Sequence, residues 1–352
     1  MSEALVLLIG GRSTEHDASL QSYRHVVTEV LGAPDRFTLT AVVHVDRDDG
    51  ARVLTGPRWP VDEADIVAWP TVPVIAAAEF LRATDAFVFS LLHGTEGEDG
   101  CWQGVAEVFD IRGSFGSVLG AALGMDKYLQ AAVARTTVPG LLTPRTEIIR
   151  RSEVADGVDR ALASFTEADV VVKPNRMGAS LLTEHLVDWD VADLSKAVSS
   201  VHEFDPDALV QQFISGTEVS CGVVVENGEP VALPVLAINT TGGFFGHTQK
   251  HRHGLAEIAR DTSSAAKEIQ RISVRLFDQL RISGWGRFDF ILADGRPHFL
   301  EVNTIPGLMS GSLFPRMLRE SGRTVVGLIE SCVRAADASG PAVKRLDYVI
   351  EH

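Results

Sequence analysis

The 352-residue chain holds only three cysteines, Cys101, Cys221 and Cys332, odd in number, far apart and without metal-type pairing. That count excludes a disulfide framework and suggests reduced thiols in a cytoplasmic protein. Basic charge is equally scarce: Lys and Arg number 32 against 47 Asp and Glu, a formal net charge of -15. A general nucleic-acid binder needs a basic surface to displace counterions from phosphate, so nucleic acid is not an expected partner. No long hydrophobic run occurs. The apolar stretch from Ala4 to Ile9 is too short for a membrane span and lacks a basic flank, so neither a signal peptide nor a membrane anchor is expected. The chain has no GxxxxGK[ST] and no GxGxxG, which removes the main support for P-loop NTPase and Rossmann dehydrogenase readings. Internal repeats and low-complexity tracts are missing as well.

What is present is the composition of a soluble globular chain, 45% hydrophobic and 22% charged, long enough for two or three domains. Short β-branched runs alternate with longer amphipathic ones, the pattern of an α/β protein. The first third reads as strand (Leu5 to Ile9), helix (Ala18 to Leu31), strand (Phe37 to Val45), a Pro- and Trp-containing connection, helix (Ala76 to Leu81) and strand (Ala86 to Leu92). This is an open, mostly parallel sheet, with Gly-rich turns at Gly10-Gly11 and Gly94 to Gly100 where such sheets place ligands. A second segment carries one helical stretch, AALGMDKYLQAAVART, then the strands RTEII and DVVVKP; a third carries EVSCGVVV, VALPVLAI, a polar loop from Asn239 to His253, a helix and a hairpin. The expected domains are 1–118, 119–209 and 210–352.

The hairpin GWGRFDFILADGRPHFLEVN is the most informative piece. Strand alternation puts Arg287 and Asp289 on one face and Phe288, Phe290 and Leu292 on the other; past the Asp294-Gly295 turn, Phe299, Glu301 and Asn303 share a face. If the faces match, Asp289, Glu301 and Asn303 form an oxygen cluster beside Arg287, suited to Mg²⁺ with phosphates filling its other positions. The alternative is a solvated polar face. The continuation TIPGLMSGSL favours the ligand reading, because a small Gly-rich turn at a strand end exposes backbone N–H groups. The strand VVVKP running into NRMGAS offers a fixed cation, Lys173, and free N–H donors, a grip for a polyphosphate.

The series GGRSTEHDASLQS, LLHGTEGEDGCWQG, GMDK, VKPNRMGAS, GTEVSCGVV, GRFDF and EVNTIPG resembles D-alanine:D-alanine ligases in order and approximate spacing, from Leu8 to about Gly322. The resemblance implies an N-terminal open parallel-sheet domain followed by a two-part ATP-grasp fold. It implies an ATP-dependent ligase with two Mg²⁺ ions, small amino-acid substrates and a homodimer. Lys127 and Lys173 match the lysines that contact ATP phosphates, Gln211, Gln212, Phe213 and Ile214 the adenine hinge, and Glu218 the ribose position. Asp289, Glu301 and Asn303 match the metal ligands; Arg287 and the Gly307 amide match the oxyanion pair; Ser312 and Leu313 match the acceptor-carboxylate site. Glu15 and His93 match residues that orient the first amino acid.

Two departures bear on the substrate. In the lid, FFGHTQKHRHG keeps Lys250 but places His251 where the family has a Tyr, and Ala179 replaces the first of two serines in the Gly-rich loop, leaving Ser180 to the phosphates. Glu15 normally joins that Ser and Tyr in a hydrogen-bonded triad, of which two members are changed. Gly242-Gly243 is the expected lid hinge, and His247, His251 and His253 are read as polar lid residues rather than zinc ligands. Cys101 is read as a small buried thiol, Trp102 and Trp285 as packing residues. Three products stay open: D-alanyl-D-alanine, a depsipeptide such as D-alanyl-D-lactate, or another small amide. A non-catalytic ATP-binding sensor is the rival reading.

Overall fold

A computed structural model describes residues 2–56, 59–166, 168–240 and 256–339. Lys250 and His251, with the His247 and His253 positions and the Gly242-Gly243 hinge, lie outside the described residues.

The opening apolar run forms β1 (Glu3–Gly10), in which Leu5 to Ile9 are all buried. A strand with apolar side chains on both faces must be covered on both, so β1 takes the interior of its sheet. It pairs in parallel with β2 (Phe37–Val45) and β5 (Phe87–Ser90). The stretch after β2, read from sequence as a Pro- and Trp-containing connection, supplies two antiparallel strands, β3 (Gly50–Thr55) and, at the sheet edge, β4 (Val72–Pro73), giving the order β4-β3-β2-β1-β5. At the end of β1 the chain must turn at Gly10, where φ is +87° and a side chain would run into the Val45 carbonyl and the His44 ring.

The stretch expected as one helix is two, Val118–Met125 and Lys127–Thr137. Asp126 has extended ψ, and its carboxylate accepts from the Leu129 N–H at 2.9 Å, so it caps the second helix rather than continuing the first. The second sheet is antiparallel, β6 (Thr146–Arg150), β9 (Asp207–Gln212), β7 (Val170–Pro174) and β8 (Glu184–Leu186) in that spatial order. A division at 209–210, expected from sequence, would cut through β9.

The third sheet has the order β12-β11-β10-β13-β14, from β10 (Thr217–Glu226), β11 (Glu229–Thr240), β12 (Ala256–Arg260), β13 (Trp285–Ala293) and β14 (Arg296–Asn303). The helix Ser264–Gln279 lays Ile269, Ile272, Leu276 and Phe277, spaced along one face, onto it. The first and third sheets share a core: Leu7, Ile9 and Phe89 pack in one cluster with Trp285, Phe314, Met317 and Ile329. The Phe89 and Trp285 rings meet edge to face at 5.0 Å. Trp102 packs in the core on the other face of the first sheet. Cys101, expected buried, is exposed at the start of the helix Cys101–Phe109. Partial desolvation of its sulfur and the adjacent Asp99 carboxylate push its thiol up to about 11, which makes it a poor nucleophile at neutral pH.

Candidate active site

The β13–β14 register sets Arg287 opposite Asn303 and Asp289 opposite Glu301. All four side chains therefore share a face, as alternation suggests. Phe299 does not join them. A bulge after Asp289 pairs Phe290 with Phe299, which turns Phe299 into the core beside Phe288 and leaves Leu300 on the cavity side. One extra residue in a strand flips every side chain beyond it.

Asp289, 3% exposed, is held by four hydrogen bonds. Arg287 donates from Nε to Oδ1 at 2.9 Å and from Nη2 to Oδ2 at 2.8 Å. Asn303 donates from Nδ2 to Oδ2 at 2.9 Å, and Ser220, on β10 directly across from Asp289, donates its hydroxyl to Oδ1 at 2.6 Å. Burial works against the Arg287 charge, but Asp289, then Glu301 and Glu218, outweigh it and hold the guanidinium pKa above its usual value.

A cavity of about 250 Å³ opens between the second and third sheets. Its lining includes Lys127, Lys173, Ser180, Gln211, Gln212, Phe213, Ile214, Glu218, Asp289 and Glu301. The Lys127 ammonium donates to the Met177 carbonyl at 2.7 Å and lies 3.5 Å from the Glu301 carboxylate. The Gly-rich loop that follows β7 carries Ala179, Ser180 and Leu182 in left-handed backbone, with φ of 54°, 53° and 53°. Such geometry is costly for non-glycine residues and tends to occur where a loop is shaped for a ligand. Glu15 reaches this loop from the first sheet: a Cβ on Gly178 or Gly94 would overlap its carboxylate.

The turn after β14 is clamped by the first unit. Glu98 accepts from the Ile305 N–H at 2.7 Å and the Thr304 hydroxyl at 3.1 Å, and with its other oxygen from the Gly94 N–H at 3.0 Å. His93 Nδ1 is 2.9 Å from the Ile305 carbonyl, which requires a proton there, so its Nε2 accepts from the Ser22 hydroxyl at 3.2 Å. Burial depresses the His93 pKa, which suits this neutral tautomer. The Ser22 oxygen in turn accepts from the Leu308 N–H at 3.2 Å, and His25 Nδ1 lies 2.7 Å from the Leu308 carbonyl. His93, expected at the first amino acid, thus has both ring nitrogens committed to protein partners in this arrangement and acts on the turn that carries Gly307. Ser312 is the N-cap of the helix Leu313–Glu320 and makes no side-chain bond to it; its hydroxyl oxygen would stand 3.6 Å from a Cβ on Gly307.

Sequence reasoning missed Glu98, Ser220 and Ser22. Ser220 carried a signal, a lone hydroxyl between apolar neighbours in a buried strand, where an unpartnered polar group is costly. Glu98 and Ser22 carried none, because their partners lie 207 and 286 positions away.

The residues present fit a divalent cation. The cavity sets two lysines against three carboxylates, one of them already paired with Arg287, so a triphosphate entering it must bring positive charge of its own. Two carboxylates and an amide oxygen on one face are hard donors of the kind Mg²⁺ takes.

Comparisons with known proteins bear on the family and the fold. Family models described as D-ala D-ala ligase N-terminus and D-ala D-ala ligase C-terminus match residues 4–114 and 140–334. A D-alanine–D-alanine ligase of Desulforamulus reducens is 30% identical over 344 residues, covering 96% of this chain and 99% of the relative. One from Mycobacterium sp. strain KMS is 30% identical over 97% of this chain and 98% of its own length. Among solved structures, the VanG D-Ala:D-Ser ligase of Enterococcus faecalis superposes with a TM-score of 0.78 at 26% identity, over 96% of this chain and 100% of that one. The Bacillus anthracis D-alanine–D-alanine ligase complexed with ATP shares the fold, with a TM-score of 0.71 at 22% identity over 96% and 100% of the two chains.

Proposed function

The chain belongs to the D-alanine–D-alanine ligase family, ATP-grasp enzymes that form a C–N bond, and from that premise we propose that it joins two D-alanine molecules at the expense of ATP. The observation that carries the reading is the face shared by Arg287, Asp289, Glu301 and Asn303, from which Asp289 and Glu301 line the same cavity as Lys127 and Lys173. Plain nucleotide binding has no use for an arginine held beside the metal-type ligands.

In the proposed reaction a carboxylate oxygen of the first D-alanine attacks the γ-phosphorus of ATP and ADP leaves, giving an acyl phosphate. The amine of the second D-alanine then attacks the acyl carbon; phosphate departs and the nitrogen loses a proton. Lys127, Lys173 and Ser180 hold the phosphates, Gln211 to Ile214 the base and Glu218 the ribose. Asp289, Glu301 and Asn303 would hold Mg²⁺, which when bound would neutralise phosphate charge. Arg287 and the Gly307 amide stabilise the tetrahedral oxyanion. Glu15 meets the ammonium of the first amino acid, with His93 and Glu98 fixing the turn that carries Gly307. The Ser312 hydroxyl and Leu313 amide take the carboxylate of the second, where a helix N-terminus favours an anion. Lys250 and His251 belong to the lid in this reading. Among the described residues no helix is long and apolar enough to cross a membrane, and we place the reaction in the cytoplasm.

The test is amino-acid-dependent phosphate release from ATP and Mg²⁺, screened over D- and L-amino acids and D-lactate, with products identified by mass. D-alanyl-D-alanine is the expected product; release with another pair only would replace D-alanine in the proposal. Glu301→Gln is expected to abolish turnover, and unchanged ATP consumption in that variant would sink the metal assignment.

A further inference from the structure

At the hinge end of the cavity one side chain has its hydrogen-bonding polarity dictated by a neighbour. Gln211 on β9 lines the cavity, is 5% exposed, and pairs across the sheet with Thr146 on β6. A glutamine amide has a donor end and an acceptor end of nearly equal shape, so its surroundings must decide which faces a ligand. Here they do. The Thr146 hydroxyl donates to the Pro144 carbonyl at 2.9 Å, and with its one proton used the Thr146 oxygen can only accept. Gln211 therefore presents Nε2 to it, at 2.9 Å, and its Oε1, to which no described residue donates, is the end left for the cavity.

We propose that Thr146 sets the nucleobase selectivity of the enzyme: by holding Gln211 with its carbonyl oxygen outward, it makes the hinge an acceptor for a purine 6-amino group and hostile to a 6-oxo group. The inference rests on the reading that this cavity takes the base of the nucleotide. Val171, Ile291 and Leu300 give the cavity apolar walls, which leaves polar discrimination to few groups. The backbone N–H groups of Gln212 and Phe213 are committed to the Arg145 and Asp169 carbonyls, both at 2.9 Å, and do not supply it. A carbonyl of guanine facing the Gln211 oxygen would oppose two acceptors in a desolvated site, while adenine there donates.

The experiment compares ADP with GDP by calorimetric binding, and ATP with GTP by kcat/KM, in wild type, Thr146→Val, Thr146→Ser and the double variant Thr146→Val with Gln211→Glu. Wild type is expected to select adenine. Thr146→Val keeps the shape but frees the amide to turn, and the adenine preference should drop by about tenfold or more, the scale of one hydrogen bond. Thr146→Ser should retain the preference, and Gln211→Glu should restore it in the valine background, because a carboxylate accepts at both ends. A merely structural Thr146 would lower binding of both nucleotides alike and leave their ratio at the wild-type value, which overturns the inference. Wild type that binds neither nucleotide overturns the reading of the cavity itself, and wild type that binds ADP and GDP equally overturns the selectivity alone.

Discussion

Replacing Ser220 by alanine tests how the metal-type cluster is held. Ser220 is fully buried, and its hydroxyl donates to Asp289 Oδ1 at 2.6 Å. A hydrogen bond to a charged acceptor is worth about 2 kcal/mol, and deleting one oxygen leaves little void. The unliganded variant should therefore lose that amount, which for a chain of this size lowers Tm by roughly 3 °C. The ligand-bound form should behave differently. A carboxylate offers about four lone-pair sites. Arg287, Asn303 and Ser220 between them direct four donors at Asp289, so a cation that takes an Asp289 oxygen must displace one. The neutral hydroxyl yields at the lowest cost, by one bond rotation, whereas the two arginine contacts are charge-assisted. If Ser220 is the donor that yields, the alanine variant is destabilised only without the cation. Its half-saturating Mg²⁺ in the presence of ADP should then fall, by up to about 30-fold for 2 kcal/mol. Thermal unfolding with and without Mg²⁺ and ADP, together with a Mg²⁺ titration, measures both effects. An unchanged Tm without ligand would refute the value placed on the buried bond. A lowered Tm with unchanged or weaker Mg²⁺ dependence would show that Ser220 keeps its bond to Asp289 when the cation is present.

Two further outcomes are expected from the buried histidines and from the clamp. Burial pushes His44 down from 6.5 to about 4, with His16 and Arg52 adding to the effect against Asp46. The unfolded chain then takes up a proton near pH 6.5 that the folded chain refuses until about 4, so stability falls across that window as pH drops, by about 3 kcal/mol at most from this group. In urea unfolding between pH 7.5 and 4, His44→Gln should decline less steeply than wild type; parallel curves would remove His44 as a contributor. In Glu98→Gln the amide turns a donor toward the Gly94 N–H if it keeps its oxygen on Ile305 and Thr304. The 304–308 turn should shift, and kcat should fall about a hundredfold, the cost of misplacing a reacting group by about 1 Å; wild-type kcat would show that the turn holds without the clamp.

The sequence made some of this legible and hid the rest for identifiable reasons. Alternation along β13 and β14 was enough to group Arg287 with Asp289 and Glu301 with Asn303, because a strand repeats every two residues whatever surrounds it; that the two pairs share one face is decided by the register. The same rule misplaced Phe299, since a bulge is decided by how two strands fit and not by the pattern of either one. The break at Asp126 was hidden by helix-forming neighbours on both sides, although an Asp three residues before a receptive N–H is itself a start signal. Strand β4 has two residues, too few to show a period, and β3 lacks a clean alternation of buried and open positions. His93 was found as a residue of interest, but its partners Ser22 and Ile305, 71 and 212 positions away, could not be read from the chain.

Those long separations say where the control of the reaction sits. The hairpin cluster belongs to the third sheet, and Gly307 and Ser312 to the chain just after β14, yet the turn that carries Gly307 is held by His93, Glu98, Ser22 and His25, all from the first unit. The two units are locked together by an apolar core in which Phe89 meets Trp285 and Phe314 packs beside them. In the proposed reaction the oxyanion position is only as well placed as that docking, so a core substitution such as one at Phe89, far from any reacting atom, is expected to act on kcat through the same turn. The second sheet is attached differently. It touches the first unit where Glu15 lies against Gly178, and touches the third where Lys127 joins Met177 to Glu301. Among the described residues its apolar cluster includes none from the other two sheets, unlike the core that joins those two, which leaves it the part best able to move as a nucleotide enters and leaves.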